Sequence, residues 1–259
     1  MATALITGAS NGIGLELAKI HAAKGDNLVL VARNITKLNQ IKTELEGQFK
    51  ISVHTIGKDL SLLNAAQEVY DELKQKNITV NYLINNAGFG DYGFFYETNW
   101  EKELQMINLN ITALTHFTKL FLQDMVKHKS GKIMNVASIA AFLSGPTMAI
   151  YYASKAYVLS FSEAIDNEVR DKGVTVTTLC PGPTETGFLE AASLQESKLF
   201  KGKKIAGAKE VAEYGYEAMM EGKTVAIHGF MNRIMANMVR FIPRALVVKA
   251  VRSIQGKTN

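Results

Sequence analysis

The sequence predicts one doubly wound α/β domain, a parallel sheet of about seven strands with helices on both faces. Three observations carry that expectation. The chain has 259 residues, 47% of them hydrophobic and 20% charged, enough apolar material for one large core and too much for a disordered chain. Short aliphatic runs alternate with longer helical patterns from end to end, without linker, repeat or low-complexity stretch. Those runs are apolar on both faces, as strands of a parallel sheet covered on both sides must be.

The first run, residues 4–7, leads into Thr7-Gly-Ala-Ser-Asn-Gly-Ile-Gly14 and at once into a helix over 12–24. In that helix Ile13, Leu17 and Ile20 recur at helical spacing, with Ala18 and Ala22 small enough for close packing. Further strands are expected at 27–32, 51–56, 80–85, 131–137, 174–179 and 224–227. Helices are expected between them near 34–47, 61–77, 99–128, 150–172 and 208–221. All four prolines (Pro146, Pro181, Pro183 and Pro243) fall outside these interiors.

The glycine loop is the first motif with chemistry. Its G-x-x-x-G-x-G spacing, at the end of the first strand and the start of a helix, lets the backbone turn tightly and approach a pyrophosphate at the helix N-terminus. Gly88-Phe-Gly-Asp-Tyr-Gly93 matches G-x-G-x-x-G by letter, but it follows the fourth strand and opens an aromatic loop. The end of the second strand bears on cofactor choice. A carboxylate there would accept from the ribose 2′-OH of NAD; instead Arg33 follows Ala32, with Lys37 one turn on, a pair suited to the 2′-phosphate of NADP(H).

Composition excludes several classes. A single cysteine, Cys180, cannot form an intrachain disulfide. The five histidines show no metal-ligand spacing, so no metal is expected. The first residues lack the pattern of a signal peptide and no apolar run is long enough to span a bilayer, so a cytoplasmic protein is expected. The net charge is +5, but after Glu221 there are seven basic residues and no acid. This segment, 229–259, interleaves Arg233, Arg240, Arg244, Lys249, Arg252 and Lys257 with aliphatic and aromatic residues. A helix pair packed over the domain or a sister subunit is the expected reading, with contact to an anionic membrane surface as the alternative. Nothing in it resembles a nucleic-acid-binding module.

Taken together, Thr7-Gly-Ala-Ser-Asn-Gly-Ile-Gly14, Asn85-Asn-Ala-Gly88, Ser138, Tyr151-Tyr-Ala-Ser-Lys155 and Cys180-Pro-Gly182 resemble, in order and spacing, the short-chain dehydrogenases/reductases of roughly 250 residues. The resemblance covers nearly the whole chain. It implies a Rossmann-type sheet, NAD(P)-linked interconversion of alcohol and ketone, and a homodimer or homotetramer. It implies a catalytic set of Ser138, Tyr151, Lys155 and an asparagine of the long helix. Matching the downstream Thr118-Lys-Leu-Phe-Leu selects Asn110, with Asn108 as the alternative. It also implies cofactor contacts from Gly8, Ser10, Asn11, Gly12, Ile13 and Gly14 in the first loop. Further contacts are implied for Asp59 and Leu60 near the adenine, and for Asn86, Ala87 and Gly88 near the ribose. Pro181, Gly182, Thr184 and Thr186 are implied near the nicotinamide and pyrophosphate.

The residues support part of this without the resemblance. Tyr151 and Lys155, at i and i+4, share a helix face, whereas Tyr152 has Ala156 at that spacing. A neighbouring ammonium and a positive nicotinamide are expected to pull the phenol below its ordinary value near 10. Ser138 ends the fifth strand, placed either to bond a substrate oxygen or to cap the following turn. Phe89, Tyr92, Phe94, Phe95, Phe142, Leu143, Met148 and Phe188 are expected at the carboxyl end of the sheet, around a pocket for a hydrophobic carbonyl. Residues 187–207 read as a lid carrying Lys198, Lys201, Lys203 and Lys204. The rival class is a binding protein: a redox sensor occupied by NADP, or a peripheral membrane protein.

Overall fold

Residues 1–186 and 205–255 are described by the computed structural model. The chain runs β1 (Thr3–Thr7), α1 (Gly12–Ala23), β2 (Asn27–Ala32), α2 (Ile35–Gln48), β3 (Val53–Gly57), α3 (Ala65–Gln75) and β4 (Tyr82–Asn85). It continues through α4 (Trp100–Ile107), a π-turn over Asn108–Ala113, α5 (Leu114–His128), β5 (Gly131–Val136), α6 (Ala149–Val169) and β6 (Val174–Cys180). A short pair follows, β7 (Thr184–Glu185) with β8 (Ala206–Gly207), then α7 (Ala208–Met220), β9 (Val225–Ile227), α8 (Phe230–Met238) and α9 (Arg244–Gln255). The main sheet has seven parallel strands in the order β3-β2-β1-β4-β5-β6-β9. The order reverses between β1 and β4, which is where such sheets open a ligand crevice at their carboxyl ends.

Alternation along the strands builds two cores. Ala4 and Ile6 of β1 and Leu28 and Leu30 of β2 face one way, against Leu17 of α1, Leu38 of α2 and Val211 and Met219 of α7. Leu5, Val29 and Val31 face the other way, against Val69 and Leu73 of α3 and Phe117 and Phe121 of α5. The doubly wound Rossmann-type domain expected from the sequence is the one observed.

Element ends differ from the sequence reading where a side chain intervenes. The helix expected from 61 starts at Ala65, because the Asp59 carboxylate accepts from the Ser61 amide at 3.0 Å and its hydroxyl at 2.8 Å, fixing a turn. Asn34 and Asn99 stand just outside α2 and α4 as N-caps, accepting from the amides of Lys37 and Lys102. The helix expected over 99–128 is continuous except for its π-turn. Near the end of the described chain, α9 packs against the domain through Val247 and Val251. The expected lid lies outside the described residues up to 204, including Phe188 and its four lysines, as does Lys257.

Candidate active site

The glycine loop is held against the end of β2, with the Gly8 amide donating to the Val31 carbonyl at 2.8 Å. Gly8 and Gly12 adopt φ of +66° and +53°, where a side chain is strained. Space is also lacking: a Cβ on Gly14 would lie 2.5 Å from the Gly8 carbonyl oxygen, and one on Gly12 would lie 2.8 Å from Thr186 Cγ2. Asn11 stands at the N-cap of α1 without a side-chain cap, and no acid occupies the first turn. A compact backbone cradle thus opens at a helix N-terminus with no competing anion, which fits a pyrophosphate. Ser10 and Ile13 lie within that cradle.

Thr7 ties the loop to its neighbour, a role the motif alone does not reveal. Its Oγ1 accepts from the amides of Asn86 and Ala87 at 3.0 Å each and donates to the Ile84 carbonyl at 3.3 Å. Asn86 Nδ2 returns a bond to the Thr7 carbonyl at 2.9 Å. Asn85 points the other way, bridging Thr118 Oγ1 and Asn135 Oδ1 in the core.

Around this cradle stand the other nucleotide candidates. Arg33 and Lys37 are exposed at the carboxyl end of β2 and in the first turn of α2. Asp59 is exposed, with its carboxylate engaged by Ser61. Leu60 is buried in the second core, which leaves its backbone, not its side chain, to meet a ligand. Pro181 accepts the Ile139 amide at 2.9 Å, and Thr184 Oγ1 donates to the Gly182 carbonyl at 2.9 Å. Gly182 packs so closely on Asn232 of α8 that a Cβ would lie 2.4 Å from its Nδ2, a partner no motif signals.

Of the four candidate catalytic residues, Asn110 and Lys155 approach each other at Gly88, while Tyr151 is hydrogen-bonded to Ser138 and near Lys155. Lys155, on α6, is buried and donates from Nζ to the Val136 carbonyl at 2.9 Å. Asn110 sits in the π-turn, the widened coil that often marks functional helices. Its Nδ2 donates to the Phe89 carbonyl at 3.0 Å and to Ser154 Oγ at 3.1 Å, while its Oδ1 accepts the Phe89 amide at 3.2 Å. Asn108 is half-buried and has no part in these contacts. A Cβ on Gly88 would lie 3.0 Å from Asn110 Oδ1 and 3.4 Å from Lys155 Nζ, so glycine is what lets the two approach. Ser138 caps the turn over Ile139–Phe142, accepting the Ala140 amide at 3.1 Å, and is also hydrogen-bonded to the Tyr151 phenol.

Burial sets the electrostatics. It pushes the Tyr151 phenol up to about 12, against the opposing hydrogen bond from Ser138. Among the protein's own groups burial outweighs the lowering expected from the lysine, whereas the lowering expected from a positive nicotinamide concerns the cofactor-bound site. Lys155 Nζ lies 5.8 Å from the Tyr151 ring centroid and donates to the Val136 carbonyl. Burial also drives Lys155 down to about 8, partly offset by Cys180, whose thiol burial raises to about 12. Tyr151 is therefore a protonated acid at neutral pH, beside an amine close to its own titration point.

The apolar wall is narrower than the sequence suggested. Phe89, Tyr92, Leu143 and Met148 pack with Tyr151 and Tyr152, and α9 closes the group with Val251. Phe142 belongs instead to a cluster with Cys180, and Phe94 and Phe95 are exposed. The C-terminal end supplies contacts that the motifs could not announce. Gln255 donates from Nε2 to the Tyr152 hydroxyl at 2.5 Å, and its carbonyl accepts from Tyr92 at 2.7 Å.

The comparisons agree with this geometry. The family model for short chain dehydrogenase matches residues 2–197. The human very-long-chain 3-oxoacyl-CoA reductase is 29% identical over 257 residues, covering 96% of this chain and 80% of that protein. A short-chain dehydrogenase from Sphingobium yanoikuyae solved in complex with NADPH superposes with a TM-score of 0.81 at 27% identity, covering 95% of this chain and 98% of that one. Another from Burkholderia phymatum, solved in complex with NAD, gives 0.79 at 25% identity over 100% and 96% of the two chains. With the glycine cradle, the seven-stranded sheet and a family match across most of its length, this chain belongs to the short-chain dehydrogenases, a family of oxidoreductases that act on CH–OH and C=O groups.

Proposed function

We propose that the protein is an NADP(H)-dependent carbonyl reductase for hydrophobic ketones, with Tyr151 as its proton donor. The observation that carries the reading is the buried, protonated phenol at the apolar wall, hydrogen-bonded to Ser138 and with Lys155 Nζ 5.8 Å from its ring centroid. When bound, the dinucleotide supplies or accepts the hydride. The glycine cradle holds its pyrophosphate, and Arg33 with Lys37 faces its 2′-phosphate. Tyr151 gives its proton to the carbonyl oxygen during reduction, and Ser138 donates a second hydrogen bond as charge develops there. Lys155 and Asn110 hold the polar floor behind the phenol. The relative named for 3-oxoacyl-CoA reduction supports an apolar carbonyl substrate. Described helices include none long and apolar enough to cross a membrane.

The test is NADPH oxidation followed by absorbance across a panel of hydrophobic ketones, with NADH in parallel. Tyr151→Phe is expected to lose at least ~10²-fold in turnover, the usual scale of general acid catalysis. Near-full turnover by that variant overturns the role of Tyr151. Tight NADPH binding without turnover of any ketone favours a sensor.

A further inference from the structure

Catalysis leaves the outer side of the two C-terminal helices unused. Between α8 and α9 the chain turns at an elbow, a 3-10 turn over Val239–Phe241 followed by Pro243. Inward, α9 places Val251 and Gln255 on the apolar wall of the site. Outward it is different. Phe241 is 89% exposed, Met231 71% and Leu246 55%. Arg233, Arg240, Arg244, Lys249 and Arg252 are exposed among them, and no Asp or Glu follows Glu221 in the sequence. Among the described residues the ion pairs of this region are His228–Glu210 and Lys223–Glu221, neither of which involves the five.

We propose that this elbow docks on an anionic lipid bilayer, with Phe241 and Leu246 entering the boundary between headgroups and acyl chains and the five cations meeting the headgroups. Contiguous exposed apolar surface on a protein marks an interaction site. Cations interleaved with it select a negatively charged, apolar-backed partner, and a lipid surface supplies both properties at once. A second copy of the chain fits less well. Two-fold pairing of this face would set like charges against each other, with no acid on either side to answer them. The short helices give a protein lying on the bilayer, not through it.

Co-sedimentation of the full chain with phosphatidylcholine vesicles, with and without about 30 mol % phosphatidylglycerol, tests this directly. Binding is expected to appear with the anionic lipid and to fall as salt is raised. The double substitution R240E/R244E is expected to cut partitioning at least about tenfold, since it reverses two of the five charges that meet the headgroups. F241S keeps every charge and is also expected to weaken binding. Its side chain is 89% exposed, so folding should be unaffected, as a circular-dichroism melt will show. Absence of binding to the anionic vesicles at low salt overturns the proposal, as does wild-type binding by both variants. A dimer in light scattering that F241S dissolves, without vesicle binding, assigns the face to a second copy instead.

Discussion

At the scale of single residues, Lys155 is the most informative group. Its folded value near 8 lies below the ordinary 10.5, so between those values the unfolded chain binds more protons than the folded one. Stability from this group therefore rises with pH across that window, and below it the fold carries the cost of a buried ammonium. Lys155→Met is expected to remove that rise: the melting-temperature difference between variant and wild type should favour the variant at pH 7 and shrink toward pH 10. A difference that is flat with pH would show that the lysine is not titrating as placed. At the cofactor end, Arg33→Asp replaces a guanidinium by a repelling charge. The KM for NADPH is expected to rise at least about tenfold, from loss of a charge-assisted bond, with NADH favoured instead. The identities of Tyr151, Lys155 and Ser138 were legible because their spacing is local to one helix and one strand end. Their ionisation was not, because burial by distant segments decides it.

At the scale of elements, the π-turn in the long helix determines which asparagine faces Gly88. Asn108 and Asn110 are two residues apart, about 200° around a regular helix, and sequence periodicity cannot show where a helix widens by one residue. Asn110→Ala would strand the Phe89 amide and carbonyl and remove the donor to Ser154 Oγ. It is expected to lower stability by about 1–3 kcal/mol in urea unfolding and to reduce kcat, while Asn108→Ala leaves both nearly unchanged. The strands and most helices were readable from alternation and from runs at helical spacing. The start of α3 was missed because one carboxylate, Asp59, competes for the backbone that periodicity had assigned to the helix.

At the scale of the molecule, the last described helix closes a wall begun at Phe89 and Tyr92, far earlier in the sequence. Gln255 reaches Tyr152 through its side chain and Tyr92 through its carbonyl, contacts of such long range that no motif spacing encodes them. Gln255→Ala is expected to raise KM for a bulky ketone several-fold while leaving NADPH affinity unchanged, because the hydrogen bonds of Gln255 go to Tyr152, Tyr92 and Thr147 and not to the glycine cradle; steady-state kinetics and a cofactor titration separate the two. The same closure has a consequence for the lone thiol. Cys180 is fully buried at the end of β6, held protonated near Lys155, and the chain contains no other cysteine. A thiol reagent can reach it only when that strand end opens, so the rate of alkylation is a clock for local unfolding at the site. Slowing of that clock on adding NADPH would measure, in one chemical step, how strongly nucleotide binding locks the centre of the fold.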